Sequence, residues 1–464
     1  MVYSLYWVVG SSNRRIQNGI LLLSSYLFYG LWDWRFLILL AGSTLIDYLG
    51  ARAIYATTSR FWKKFYLWHN VFWNIGILVL FKYFDFFLRS FYALWGEDYA
   101  PGSFNLLDVI IPVGLSFYTF QTLSYTIDVY RGKLAPTNNV LDFMCFVSFF
   151  PQLVAGPIER AGKLLPQIGN PRKFLPEKQT DGLRLILWGL FKKVVIADSL
   201  GLAADVIFAE PEGFGFLTLA YGAFLFACQL YCDFSGYTDI ALGTAKLFGI
   251  ELSENFKHPY RSRSFTLFWR RWHITMTRWF MDYVFIPVNK ILPWSRRTNI
   301  ASATLFTMLL IGLWHGANWT FIVFGLIHGL VLIGESIKIS PRKRLQQVLE
   351  STPYLSKIYL WAILCGSLVF FRSPDISSSI TYFGRILSFA PEPSGVYSII
   401  LSLGRAKIFI LYVFIEVLMG KRRHPFLLMD GKLPRLVKWL VYYLFIYWIF
   451  EFYVVEEQFI YFQF

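Results

Sequence analysis

Six histidines occur in 464 residues, and the setting of one is unusual. No charged side chain lies between Arg297 and Glu335, yet His315 stands inside that stretch, within Gly312-Leu313-Trp314-His315-Gly316-Ala317-Asn318-Trp319. A continuous helix over 299–337 would measure about 55–60 Å, nearly twice the ~30 Å hydrocarbon core of a bilayer. The chain must therefore turn, and the glycines flanking His315 mark the place. The piece before the turn covers about 15 residues, or ~22 Å, which puts the imidazole within membrane depth. Ionisable groups there are costly and are functional candidates by default. A neutral imidazole is what a general base requires. The other reading is a packing histidine that donates to a backbone carbonyl.

Two further stretches bear on chemistry. Residues 254–273, from Glu254 to His273, hold five Lys and Arg. At about 2.5–3.5 kcal/mol each near a membrane centre, five would cost on the order of 12 kcal/mol or more, so this segment does not cross lipid. It is either an amphipathic helix snorkelling among anionic headgroups or a basic vestibule for an anionic substrate such as a coenzyme A or phosphopantetheine donor. The third stretch, 229–239, places Asp233 and Asp239 at the end of a long apolar helix. Carboxylates facing lipid are poorly tolerated. The two are expected to pair with the Arg cluster of 261–278 or to line a cavity.

The remaining candidates carry less. His328 reads as packing, His69 sits near a membrane end, and His258 and His424 lie in basic loops. Without a His-Glu-x-x-His motif or a Cys/His cluster, no metal site is expected, and neither a Gly-x-Ser-x-Gly elbow nor a Walker loop occurs. Cys228 and Cys232 share a helix face and read as small hydrophobes.

The elements that hold these residues follow from composition. Hydrophobic residues make up 56% of the chain, aromatics 20% and charged residues 16%, whereas about a quarter of a soluble domain is charged. So little charge cannot cover a water-exposed surface, which excludes a cytosolic enzyme, a disordered chain and a secreted disulfide scaffold. The sequence predicts an all-α integral membrane protein, a single domain over 1–464. Candidate spans lie at 16–34, 36–56, 66–93, 106–127, 183–208, 214–234, 300–315, 319–337, 354–371, 397–418 and 436–455, nine to twelve in all. The Pro- and Gly-bearing stretch 149–157 reads as re-entrant or interfacial. No cleavable signal peptide is expected, because the first apolar run leads straight into further spans.

The net charge of +15 comes from short basic clusters between apolar runs, such as Arg60-Lys63-Lys64, 338–344 and Lys421-Arg422-Arg423. That is the pattern of cytoplasmic loops, not of a nucleic-acid binder. Two spans separate 338–344 from 421–438. One more then carries the tail 456–464, which holds no Lys or Arg, to the outer face.

Taken in order, several blocks resemble the membrane-bound O-acyltransferase family, in its bacterial alginate O-acetyltransferase type. They are Pro112-Val113-Gly114-Leu115-Ser116-Phe117-Tyr118, Phe149-Pro151-Gln152 with Ala155-Gly156-Pro157, and Asp233-Phe234-Ser235-Gly236-Tyr237-Thr238-Asp239. Glu254-Asn255-Phe256, Phe268-Trp269-Arg270-Arg271-Trp272-His273 and Gly312–Trp319 complete the set. The resemblance implies helices around a thin centre pierced by a tunnel, with donor entering from one side and acceptor from the other. The family's essential histidine falls on His315 and a second characteristic histidine on His273. It further implies acetyl transfer from acetyl-CoA or a related acyl thioester, used as substrate with no bound cofactor. The acceptor would be an extracytoplasmic polysaccharide, a periplasmic acetyltransferase would be the partner protein, and the bacterial cytoplasmic membrane the location.

Within that frame, Asn318 or Trp319 stands near the developing oxyanion, and Arg270 and Arg271 shape the donor end. Phe459-Ile460-Tyr461 resembles the C-terminal Phe-Ile-Tyr of a small partner peptide in the D-alanylation branch. Tyr461 is therefore a candidate acyl relay, or else an aromatic anchor at the interface. Two other activities share parts of this pattern. A D-alanyl or other acyl transferase of the same family would share every motif. A secondary transporter or flippase would more often show paired halves with corresponding breaks, and no such pairing is visible.

Overall fold

The computed structural model describes residues 1–10, 13–96, 112–154, 156–336, 352–393 and 406–453. Among them every regular element is a helix. Six helices are long and apolar enough to cross a membrane: Trp34–Ala56, Arg60–Leu94, Phe216–Leu247, Arg296–His315, Trp319–Ser336 and Tyr354–Arg372. The other predicted spans are helices too, over Arg14–Trp32, Leu115–Tyr130, Ala406–Met419 and Arg435–Glu451, with a fifth running from Pro176 to Ala209. They are shorter or more polar. Arg14–Trp32, for example, opens on two arginines and buries Gln17 and Asn18.

The described residues form two compact units, one of Met1–Leu183 with Ala241–Ser253 and one of Arg184–Ile240 with Glu254–Phe464. In the first, Trp34–Ala56, Arg60–Leu78 and Leu115–Tyr130 pack on one another. A buried polar chain crosses all three: Asn74 donates to Asp47 at 2.8 Å and Thr122 to Asn74 at 3.2 Å. The stretch 149–157, expected to be re-entrant, opens on a single turn, Phe150–Leu153, directly after the helix Val140–Ser148. The Phe146 carbonyl freed by that break accepts from Gln121 at 2.6 Å and from Gln152 at 3.2 Å. Side-chain amides thus replace the helix bonds that irregular backbone loses. Further on, the buried Glu159 carboxylate accepts from both the backbone amide and the hydroxyl of Ser253.

The second unit holds the three chemistry-bearing stretches. Its first element continues as a π-helix over Phe191–Ala197. The wider turn directs two successive lysines toward the helix Phe216–Leu247. Lys192 Nζ lies 2.8 Å from Asp239 and donates to Ser235 at 2.9 Å. Lys193 Nζ lies 2.9 Å from Asp233 and 2.6 Å from Asp198. This corrects the expected pairing of Asp233 and Asp239 with the arginines of 261–278. The partners are lysines, about 40 residues upstream, that periodicity alone assigned to an apolar span. At the start of the same long helix, Glu392 accepts from the amides of Gly215 and Thr218 at 3.1 and 2.9 Å and from the Thr218 hydroxyl at 2.8 Å. Burial works against its charge, but these hydrogen bonds hold the carboxyl below its ordinary range.

Candidate active site

The uncharged stretch folds as a tight helical hairpin. Arg296–His315 and Trp319–Ser336 are joined by Gly316-Ala317-Asn318. The first helix is 20 residues long, so His315 closes it about 28 Å beyond Arg296. Close approach depends on glycine. A Cβ at Gly312 would lie 2.2 Å from the Phe321 carbonyl oxygen, and one at Gly325 would lie 2.4 Å from that of Met308. Both obstacles are backbone, so the helices would have to part. Gly325→Ala is therefore expected to lower the yield of monodisperse protein on size exclusion severalfold, whereas Gly334→Ala, where a Cβ meets nothing within 4 Å, leaves it unchanged.

His315 is 4% exposed. Its ring meets Trp314 at 5.0 Å, Phe371 at 5.1 Å and Phe324 at 5.8 Å between centroids. It borders a cavity of about 20 Å³ whose walls include Tyr260, Trp269, Trp272, His328 and Phe371, room for a single water. His328, read from sequence as packing, thus shares the cavity with His315. Ser367 donates its hydroxyl to the Leu364 carbonyl at 3.0 Å and so accepts from His328 Nε2 at 2.8 Å. That arrangement fixes the Nε2–H tautomer and leaves the Nδ1 lone pair available.

His273 is fully buried and left-handed, at φ +40. Asn255 enforces that backbone. Its carbonyl accepts from the Ile274 amide at 2.9 Å, and its Oδ1 accepts from the amide and hydroxyl of Thr275 at 3.2 and 2.7 Å. The ring is packed by Phe234 at 4.7 Å and reaches Trp314 at 5.7 Å, which in turn contacts His315. Burial first, and the nearby His315 second, push the His273 imidazole well below the usual histidine range, so it is neutral at pH 7. Asn255 is a positioning residue that sequence reasoning passed over; its place in the Glu-Asn-Phe block was the available signal. Asn255→Ala should cut the turnover rate about 10²-fold, as misplacement in an aligned site does, with the donor KM nearly unchanged in steady-state assays.

The other candidates are placed as follows. Arg270 is exposed and Arg271 half-buried; the Arg271 carbonyl accepts from the Lys257 amide at 3.0 Å. Asn318 caps the second hairpin helix, accepting from Thr320 at 3.1 Å and donating to the Pro374 carbonyl at 2.7 Å. Trp319 is 53% exposed. Neither lines the cavity at His315, because a helix-capping amide and an outward ring are already committed elsewhere. Tyr461 lies outside the described residues. Glu335, which ends the uncharged stretch, accepts from the Phe265 and Thr266 amides at 2.7 and 2.8 Å. It thereby ties the basic segment to the hairpin. That segment is a succession of short turns, Pro259–Arg261 and Phe265–Trp269 among them, and does not span.

Among the described residues, two of the cavities share Tyr260 as a lining residue. The second measures about 320 Å³ and is lined by Cys228, Cys232, Trp361, Tyr412 and, at its polar end, His258, Arg261 and Glu416. His258 Nδ1 lies 3.1 Å from Glu416.

Residues 134–373, which contain both histidines and the hairpin, match the family model of the membrane-bound O-acyltransferase family. The protein named probable alginate O-acetylase AlgI of Pseudomonas putida is 37% identical over 398 residues, covering 83% of this chain and 77% of that one. The chain belongs to the membrane-bound O-acyltransferase family. A peptidoglycan O-acetyltransferase of Helicobacter pylori is 33% identical over 393 residues, 78% of this chain and 72% of its own. A teichoic acid D-alanyltransferase of Streptococcus thermophilus is 29% identical over 269 residues, 53% and 63%. This membrane-bound O-acyltransferase is thus a multi-pass membrane enzyme that moves acyl groups, and the hairpin and its histidines lie in the part matched by the family.

Proposed function

We propose that this enzyme transfers an acetyl group from acetyl-CoA or a related thioester, presented on the cytoplasmic side of the bacterial inner membrane, toward hydroxyls of an extracytoplasmic polysaccharide. A periplasmic acetyltransferase would complete delivery. The observation that carries this reading is a buried imidazole at a hairpin elbow, facing a cavity and flanked by two further histidines, within a chain whose similarity to O-acetylases covers most of its length. His315 takes the acceptor's proton as its oxygen attacks the acyl carbon. The C–O bond forms, the C–S bond breaks, and the thiolate leaves with the proton from the imidazolium. A thioester is already activated, so alignment and proton removal are what the protein must supply.

D-alanyl transfer is the weaker reading, since the similarity that supports it covers only 53% of the chain. Purified protein in nanodiscs, given acetyl-CoA or D-alanyl phosphopantetheine thioester, separates the two by thiol release. Turnover of the D-alanyl donor alone would overturn the acetyl assignment. The same samples test Tyr461: a +42 Da C-terminal peptide, the mass of one added acetyl group, supports an acyl relay there, and its absence under turnover leaves Tyr461 an anchor.

A further inference from the structure

The space at His315 and the larger space beside it are separated by one side chain. Tyr260 lines both cavities, of about 20 and about 320 Å³. The smaller holds one water, less than an acetyl group needs, so some wall must yield for any acyl carbon to reach the imidazole. The larger has its polar end at Arg261 and extends to Val417, which is 65% exposed, so a ligand can enter there and meets Tyr260 as the wall shared with the His315 cavity.

Tyr260 is built to move alone. Its backbone sits in the turn Pro259–Arg261, between anchored neighbours: His258 is held by Glu416 at 3.1 Å, and Arg261 by the Gly420 carbonyl at 2.9 Å. The ring itself lies among other aromatics, Trp361 at 4.7 Å, Tyr231 at 5.0 Å and Trp272 at 6.1 Å. Its hydroxyl donates to the Ala227 carbonyl. A ring held by aromatic contacts and one hydrogen bond has no ionic or covalent tie to break on changing rotamer.

We propose that Tyr260 determines the length of the acyl group this enzyme accepts, with the 320 Å³ cavity as the chamber where the acyl thioester waits. The inference rests on the acyl-transfer reading above. When the ring swings aside, the opening it leaves admits only the shortest acyl group to the His315 cavity. Without the ring, the two spaces merge and longer chains fit.

The test uses the full chain in nanodiscs with acetyl-, propionyl-, butyryl- and hexanoyl-CoA, read as thiol release. Wild type should favour acetyl over butyryl at least about 10-fold in kcat/KM, a difference of the size that two methylenes are worth in a shaped pocket. Tyr260→Ala should bring that ratio to within about threefold of unity, and Tyr260→Phe, which keeps the ring, should preserve it. An unchanged ratio in Tyr260→Ala overturns the proposal. A second measurement needs neither turnover nor a variant. Cys228 and Cys232 line the chamber, whereas the half-buried Cys365 lines neither cavity, so a non-hydrolysable ketone analogue of acetyl-CoA should slow maleimide labelling of the first two at least threefold and spare the third. Protection without turnover by wild type would retain the chamber and reject the acyl-transfer reading. No protection rejects the chamber, whatever the turnover.

Discussion

Replacing His315 with alanine in purified protein lowers acyl transfer about 10²–10⁴-fold, the range for loss of a positioned general base, and leaves the donor KM within about threefold. That is about 2.7–5.5 kcal/mol of barrier. The reason is local. The imidazole is buried among Trp314, Phe324 and Phe371, where bulk water cannot take over proton removal. His328 faces the same cavity, and its alanine variant should lose less, about tenfold, because its Nε2 is already engaged with Ser367. The double variant His315→Ala/His328→Ala then shows whether His328 supplies the residual rate. Full activity in His315→Ala, with the protein monodisperse, would remove this residue from the reaction.

Lys193→Met should cost about 3–5 kcal/mol of stability, the penalty for removing one member of a buried ion pair. Lys193 serves two carboxylates, Asp233 at 1% and Asp198 at 7% side-chain exposure, so neither can turn to water instead. Adding Asp233→Asn should recover part of the loss, since one of the two acids no longer needs a cation. The fall in apparent melting temperature, followed by size exclusion after heating, checks both. Activity should fall as well, because Phe234, next to Asp233, packs against His273 at 4.7 Å. A wild-type melting temperature in Lys193→Met would show that other groups hold this crossing.

Much of this architecture was legible before any coordinates. Long uncharged runs can only be helices in lipid, and the break at Gly312–Trp319 followed from length against bilayer thickness. The five cations of 254–273 excluded a span there, and the structure has none. What was not legible shares one cause, the absence of tertiary partners from sequence. Lys192 and Lys193 fall inside the candidate span 183–208 with nothing to mark them, because a π-turn that aims both at a neighbouring helix has no composition signature. Asn318 looked like an oxyanion donor because its block carries the essential histidine, yet its amide is spent on capping a helix. His328 was thirteen residues from His315 in an apolar run, and only the hairpin's close crossing brings the two rings to one cavity. Asn255 acts through its carbonyl and its side-chain oxygen on Ile274 and Thr275, about 20 residues away, a pairing that residue type alone does not announce.

The left-handed backbone at His273 shapes how its side chain can be dissected. Alanine at this position keeps the Cβ that histidine already carries at φ +40, so it removes the imidazole and leaves the backbone strain as it is. Glycine removes the ring while relaxing the chain, and asparagine tolerates the same conformation while restoring a polar group. The alanine variant therefore reports what the imidazole contributes, and the difference between alanine and glycine reports what the bend around it costs.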